Sequence, residues 1–112
     1  MEPFLIRIGV TAEQGAVRRI DVSGHGGGKK GKDIVCAAVS AVTQTALLGL
    51  LRYGEKQVTY RTKDGALSIE ISRPKENFSQ KSLSVILTTM VLGLQAIEKE
   101  YPDRVMVELR EI

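Results

Sequence analysis

The chain contains one cysteine and one histidine. A lone cysteine excludes an intrachain disulfide and points to a reducing, cytoplasmic setting. One histidine plus one cysteine also falls short of the four ligands usual in a structural zinc site, and the carboxylates show no ligand-like clustering, so neither a metal nor another cofactor is expected. Aromatic residues are few. Phe4, Tyr53, Tyr60, Phe78 and Tyr101 are scattered, which argues against a base-stacking platform. A strong excess of one charge is missing too: 16 Lys and Arg against 13 Asp and Glu leave a net charge of +3. That is not the footprint of a dedicated nucleic-acid binder, although a weakly basic surface favours an acidic partner or a site on the ribosome. The amino terminus lacks the positive start and long apolar region of a signal peptide. The most apolar segments are interrupted by Thr43, Gln44, Thr88 and Thr89. The expectation is that none reaches membrane-spanning length and that no membrane is a partner.

What is present is an ordinary globular composition, 43% hydrophobic over 112 residues, read as a single domain over 1–112. Residues 4–10 suit a strand, 11–15 a turn, and 16–23 alternate as a second strand. A helix is expected over about 33–52, ended by Gly54 in the left-handed conformation that often follows a helix C-terminus. Residues 57–62 and 66–72 form a second hairpin, with Asp64-Gly65 as a strong tight-turn signal. After a loop over 73–78, a second helix spans about 79–100. Its Leu83, Ile86, Leu87, Met90, Leu94 and Ile97 recur at helical spacing. Residues 104–110 alternate as a last strand. The order strand-strand-helix, strand-strand-helix, strand predicts an α+β two-layer sandwich, with two helices packed on one mixed or mostly antiparallel sheet.

The two rare residues bracket one segment. Gly24-His25-Gly26-Gly27-Gly28-Lys29-Lys30-Gly31-Lys32 leads into Asp33-Ile34-Val35-Cys36 at the start of the first helix. A thiol and an imidazole at the two ends of a glycine-rich loop are the components of a nucleophile and its base. Cysteine is more often a buried core residue. Helical phase counts against that here, because Asp33, Ser40, Thr43 and Gln44 share its side while Val35, Ala38, Val39, Val42 and Ala46 point elsewhere. Leu47 and Leu51 return to the Cys36 side and suggest a second buried contact, such as a partner subunit. With Asp33 as the N-cap, Cys36 sits in the first turn, where unpaired N–H groups and the helix dipole favour a thiolate. The Asp33 charge acts the other way. A lone loop histidine is more often a solvated residue than a catalyst, but no other imidazole is available, so such a mechanism depends on His25.

The same loop supports a rival reading. Residues 26–32 match the first seven positions of the phosphate-binding pattern G-x-x-x-x-G-K-[ST], but Asp33 replaces the hydroxyl residue and would repel phosphate. Nucleotide hydrolysis therefore ranks below cysteine chemistry. Phosphate or RNA contact by Lys29, Lys30 and Lys32, in a non-enzymatic ribosome-associated binding module, stays open as the alternative.

The run Ser23-Gly24-His25, a glycine-containing loop and then Gly31-Lys32-Asp33-Ile34-Val35-Cys36-Ala37-Ala38-Val39-Ser40-Ala41 resembles the ribosomal-processing cysteine protease family, Prp. The resemblance implies a homodimeric, cytoplasmic endopeptidase that removes a short amino-terminal extension from the large-subunit ribosomal protein L twenty-seven. By motif position, Cys36 would be the nucleophile and His25 the base. Asp33 and Ser40 would support them, and Gly24, Gly26, Gly27, Gly28 and Gly31 would form a mobile substrate loop.

Overall fold

The computed structural model describes residues 5–24, 34–63, 65–72 and 77–112. The elements are β1 (Ile6–Glu13), β2 (Ala16–Ser23), α1 (Ile34–Gly54), β3 (Val58–Lys63), β4 (Ala66–Ile71), α2 (Asn77–Glu100) and β5 (Val105–Glu111), with one turn of 3-10 helix at Glu55–Gln57. The strands form one sheet in the order β3-β4-β2-β1-β5. The β1–β5 pair is parallel and the other pairs are antiparallel. The expected α+β sandwich with two helices on a mixed sheet is therefore what forms.

Alternation dictates which face is covered. Ile6, Ile8 and Val10 of β1 register with Val105, Val107 and Leu109 of β5. Val22 and Ile20 of β2 register with Leu67 and Ile69 of β4. Cross-strand partners share a face, so these residues line one side of the sheet. Both helices lie on it. Val35, Val39 and Leu50 of α1 and Leu83, Leu87, Met90 and Leu94 of α2 are buried in one core with Ile6, Ile8, Val10, Ile20, Val22, Ile69 and Val105, while Leu109 at the end of β5 is exposed.

The two helices run antiparallel along a seam in which three glycines make close approaches. Gly93 faces Val42, Gly49 faces Ile86, and Gly54 lies against the Leu83 side chain. A Cβ at Gly54 would run into Leu83 Cδ1. Gly54 belongs to α1 and is absent from the positive-φ residues. It is thus not the left-handed cap expected from sequence. Its missing side chain makes room for Leu83 instead.

The first hairpin is longer than its sequence pattern suggests. β1 continues through Thr11, Ala12 and Glu13, which pair with Arg19, Val17 and Ala16 across a bulge. The turn shrinks to Gln14 and Gly15, at φ 53° and 81°. Positive φ at both central residues gives the twist that a two-residue hairpin needs. Glutamine carries no sequence signal for that conformation.

The expectation about membrane-spanning length also needs correcting. Ile34–Gly54, with mean hydropathy 2.0, and Lys81–Glu100, at 1.2, are each long and apolar enough to cross a membrane by length and composition. Threonine and glutamine interrupt these runs but do not offset their Leu, Val and Ala. Each helix nonetheless sets one face on the sheet.

The other face of the sheet carries a polar network. Arg19 donates from Nε to Asp21 Oδ2 at 2.9 Å and from Nη2 to Oδ1 at 3.2 Å, and the Ser68 hydroxyl donates to Asp21 Oδ1 at 2.7 Å. Burial pushes the Asp21 carboxyl up, but the hydrogen bonds from Arg19 and Ser68 and the Arg19 charge outweigh it and hold the group below the usual carboxylate range. A carboxylate depressed by folding stabilises the fold above its unfolded pKa, and that contribution is lost as pH falls through the folded value. Asp21→Asn should therefore lower stability at neutral pH by about 0.5–1 kcal/mol, a small figure because the pair is solvent-screened. The gap between wild type and variant, measured by urea denaturation, should close as pH falls below 3.8. A gap that does not change with pH would refute the assignment.

Candidate active site

Three chain segments meet beside the sheet: the end of β2, the first turns of α1 and the tip of the β3–β4 hairpin. Val22 of β2 registers with Leu67 near the start of β4, which brings the hairpin tip alongside α1. Helix α1 starts at Ile34, so Cys36 is its third residue and lies in the first turn, among backbone N–H groups that have no partner within the helix. Val35 and Val39, on either side of Cys36, are buried at 2% and 1% exposure. They hold this turn against the sheet.

Cys36 is half-buried and packs against the edge of the core. The sulfur is neither sealed in the interior nor placed on a purely polar stripe. Ser40, one turn on and also half-buried, shares its face. Thr43 continues that line but is buried, and its hydroxyl donates to the backbone carbonyls of Val39 at 2.9 Å and Ser40 at 3.2 Å. A hydroxyl satisfied by its own helix serves packing, so the polar stripe expected from helical phase is shorter than it looked.

A cleft of about 510 Å³ lies between α1 and the hairpin tip, its α1 wall beginning at Val39 and Ser40. Ser40, Gln44, Leu47 and Leu48 line it from α1, and Thr62 and Lys63 line it from β3. Leu47, which the sequence reading offered as a second buried contact, packs partly buried against this chain's own core and lines the cleft opposite the hairpin. The hairpin's share of the site was not legible in the sequence, because nothing local signals that Val22 pairs with Leu67.

Gly24 is the one member of the proposed loop within the described residues. It has φ 85°, and a Cβ there would run into the carbonyl oxygen of Leu5. The root of the segment leaving β2 is thus fixed by close backbone packing. His25, Gly26, Gly27, Gly28, Gly31 and Asp33, with Lys29, Lys30 and Lys32, lie outside the described residues. The structure accordingly places Cys36 and Ser40 in the first turns of α1 and Gly24 just past the end of β2, against Leu5. Among the described residues no group of three or more His, Cys, Asp or Glu could hold a metal ion.

The comparisons with known proteins follow from this geometry. The family described as cysteine protease Prp matches residues 5–106. The chain belongs to the cysteine protease Prp family. A Staphylococcus aureus relative, named ribosomal processing cysteine protease Prp, is 30% identical over 111 residues, covering 95% of this chain and all of the relative. Two solved structures of the S. aureus Prp protease superpose on 95% of this chain and all of theirs. One, in complex with a substrate peptide, has TM-score 0.80 and 25% identity. The other, with a covalently linked product peptide, has TM-score 0.81 and 28% identity. A Streptococcus mutans protein shares the fold, with TM-score 0.82, 24% identity and 96% coverage of each chain. Membership makes this Prp-family chain a cysteine protease, which decides against the rival reading of a non-enzymatic binding module.

Gly24→Ala tests the fixed root. The left-handed φ and the clash with the Leu5 carbonyl should together cost about 1–3 kcal/mol. Urea denaturation should show that loss, and proteolytic activity should fall with it. An unchanged midpoint would mean that the close approach is not needed.

Proposed function

We propose that this chain is a ribosomal-processing endopeptidase that removes the short amino-terminal extension of the large-subunit ribosomal protein L twenty-seven, with Cys36 as nucleophile and His25 as base. One observation carries the mechanistic half of this reading. A cysteine protease needs a thiol, and the only one in the chain is Cys36, half-buried in the first turn of α1 beside a cleft. The substrate half draws on the S. aureus relative, whose name is that of a ribosomal processing protease.

The chemistry is acyl transfer. The Cys36 thiol gives its proton to His25, and the sulfur attacks the scissile carbonyl carbon. As the tetrahedral intermediate collapses, the C–N bond breaks, His25 returns the proton to the leaving amine, and a thioester remains on Cys36. His25 then takes a proton from water, the resulting hydroxide attacks the thioester, and the thiol is restored as the carboxylate product departs. The N–H groups of the first turn of α1, which have no partner within the helix, would with the positive end of the helix dipole favour negative charge on the sulfur and on the carbonyl oxygen. Asp33 and Ser40 are supporting groups in this reading. Asp33 would cap the helix, and Ser40, one turn from the thiol, would hydrogen-bond near it.

The family resemblance further implies a homodimer, and the outer side of the helix seam suits one. An apolar cleft there is lined by Val42, Ala46, Ile86, Met90 and Gly93, with Val85 on its rim 59% exposed. Such a surface is stabilised by burial against a second copy.

The test is incubation of the purified protein with peptides spanning such an extension, followed by mass spectrometry. Wild type should release the extension, and Cys36→Ala and Cys36→Ser should give no product. His25→Ala should slow cleavage by about 10²–10⁴-fold, the usual contribution of a general acid–base group. Cleavage that survives Cys36→Ala would overturn the mechanism. Cleavage of unrelated peptides in preference to the extension would overturn the substrate assignment.

A further inference from the structure

The helices cover one face of the sheet and leave the other to solvent. Strand register sets the outward residues of the open face in rows across the five strands. Its charges are unevenly paired. Arg19 holds Asp21 at 2.9 Å and Glu70 at 3.4 Å, and at the far end of β1 Glu13 faces Arg18 at 3.9 Å. Arg7, Arg61 and Arg110 are exposed and have no carboxylate partner among the described residues. Glu108 is the one acid on this face left to oppose them. Arg61 lies on β3 and Arg110 on β5, the two edge strands. At about 4.8 Å per strand they stand roughly 19 Å apart, with Arg7 between them on β1. The surface between them is kept low by Gly9 and Ser68, and the outward residues of the described strands include no aromatic ring.

We propose that this open face docks the protein on the phosphate backbone of ribosomal RNA, and so carries the protease to a ribosomal protein already seated on its particle. The choice of RNA rests on the ribosomal substrate proposed above. Guanidinium groups spread over such a distance form no pocket for a small anion. They suit a ligand whose negative charge repeats, as it does along a nucleic-acid backbone. Arginine matches phosphate oxygens with paired donors, and the exposed hydroxyls of Ser23 and Thr59 add further ones. Without aromatic rings the face holds backbone and reads no bases, which is what positioning requires. Lys63 belongs to the same face and also lines the cleft beside α1, so the docking face borders the candidate site.

The experiment measures binding to purified large-subunit ribosomal RNA over a salt series. It also measures cleavage of a free extension peptide and of large-subunit particles carrying the uncleaved protein. Arg7→Gln/Arg61→Gln/Arg110→Gln is compared with Arg52→Gln/Lys81→Gln/Lys99→Gln, which removes the same charge from exposed positions on the helices. The sheet-face variant should bind RNA roughly tenfold or more weakly. Its slope of log affinity against log salt should flatten by roughly 2–3, at about 0.7–0.9 per phosphate contact. It should cleave the free peptide as wild type does but process the particles roughly tenfold more slowly. The helix variant should match wild type throughout. The inference is overturned if the sheet-face variant keeps wild-type affinity, or if the helix variant loses as much. It is also overturned if polyglutamate binds as tightly as RNA of equal charge, which would mark the face for an acidic protein. Failure of the substrate reading would show separately, as wild type that leaves the free extension intact while RNA binding still decides the docking face.

Discussion

The site depends on the burial of two valines. Val35 and Val39 flank Cys36 in the first turns of α1 and are almost completely removed from water. Burying a valine side chain is worth about 1.5–3 kcal/mol, and two of them within five residues hold a helix end that would otherwise fray. With those positions committed to the sheet, helical geometry leaves Cys36 about 100° around the helix from Val35 and about 60° from Val39. Cys36 is thereby kept at the margin of the core, half-buried and packed against its edge. Its orientation is a consequence of hydrophobic packing, not of polar contacts made for the purpose.

The rest of the helical layer serves the same placement. Strand alternation leaves one sheet face apolar, and a single helix is too narrow to cover it. Two long helices share the work, and small residues where they touch let them lie side by side. Gly93 opposite Val42, Gly49 opposite Ile86 and Gly54 against Leu83 remove side chains from the seam. The helices are therefore apolar on more than the face that meets the sheet. This explains both their hydropathy and the exposed apolar surface at Val85. On the opposite face of the sheet the Asp21–Arg19–Ser68 network satisfies polar groups in partial burial without intruding on the core.

Much of this was legible in the sequence because it is local. Alternation marks the strands, helical spacing marks α2, and one cysteine beside a glycine-rich run marks the segment where chemistry concentrates. The departures have a common cause in tertiary contact. Gln14 adopts a positive φ because the strands on both sides are already paired. Gly54 reads as a cap by habit, but its small size is required by Leu83, 29 positions away in the chain. Thr43 reads as polar, yet its hydroxyl folds back on Val39 and Ser40. Leu47 reads as a second buried contact, but nothing local shows that the pairing of Val22 with Leu67 sets the hairpin across the cleft that Leu47 lines. His25 lies outside the described residues.

A half-buried thiol at a helix start reconciles two demands that conflict elsewhere. Full burial would disfavour the charged sulfur through desolvation, and full exposure would let water compete for the thioester. In the proposed mechanism, the first turn of α1 combines partial burial with N–H groups that have no partner within the helix, so negative charge would meet donors as it loses water. Those donors belong to the backbone and are fixed by the same valines that fix Cys36. A substitution that loosened Val35 or Val39 would therefore displace sulfur and donors together. In this fold the hydrophobic core and the reaction geometry cannot be tuned independently.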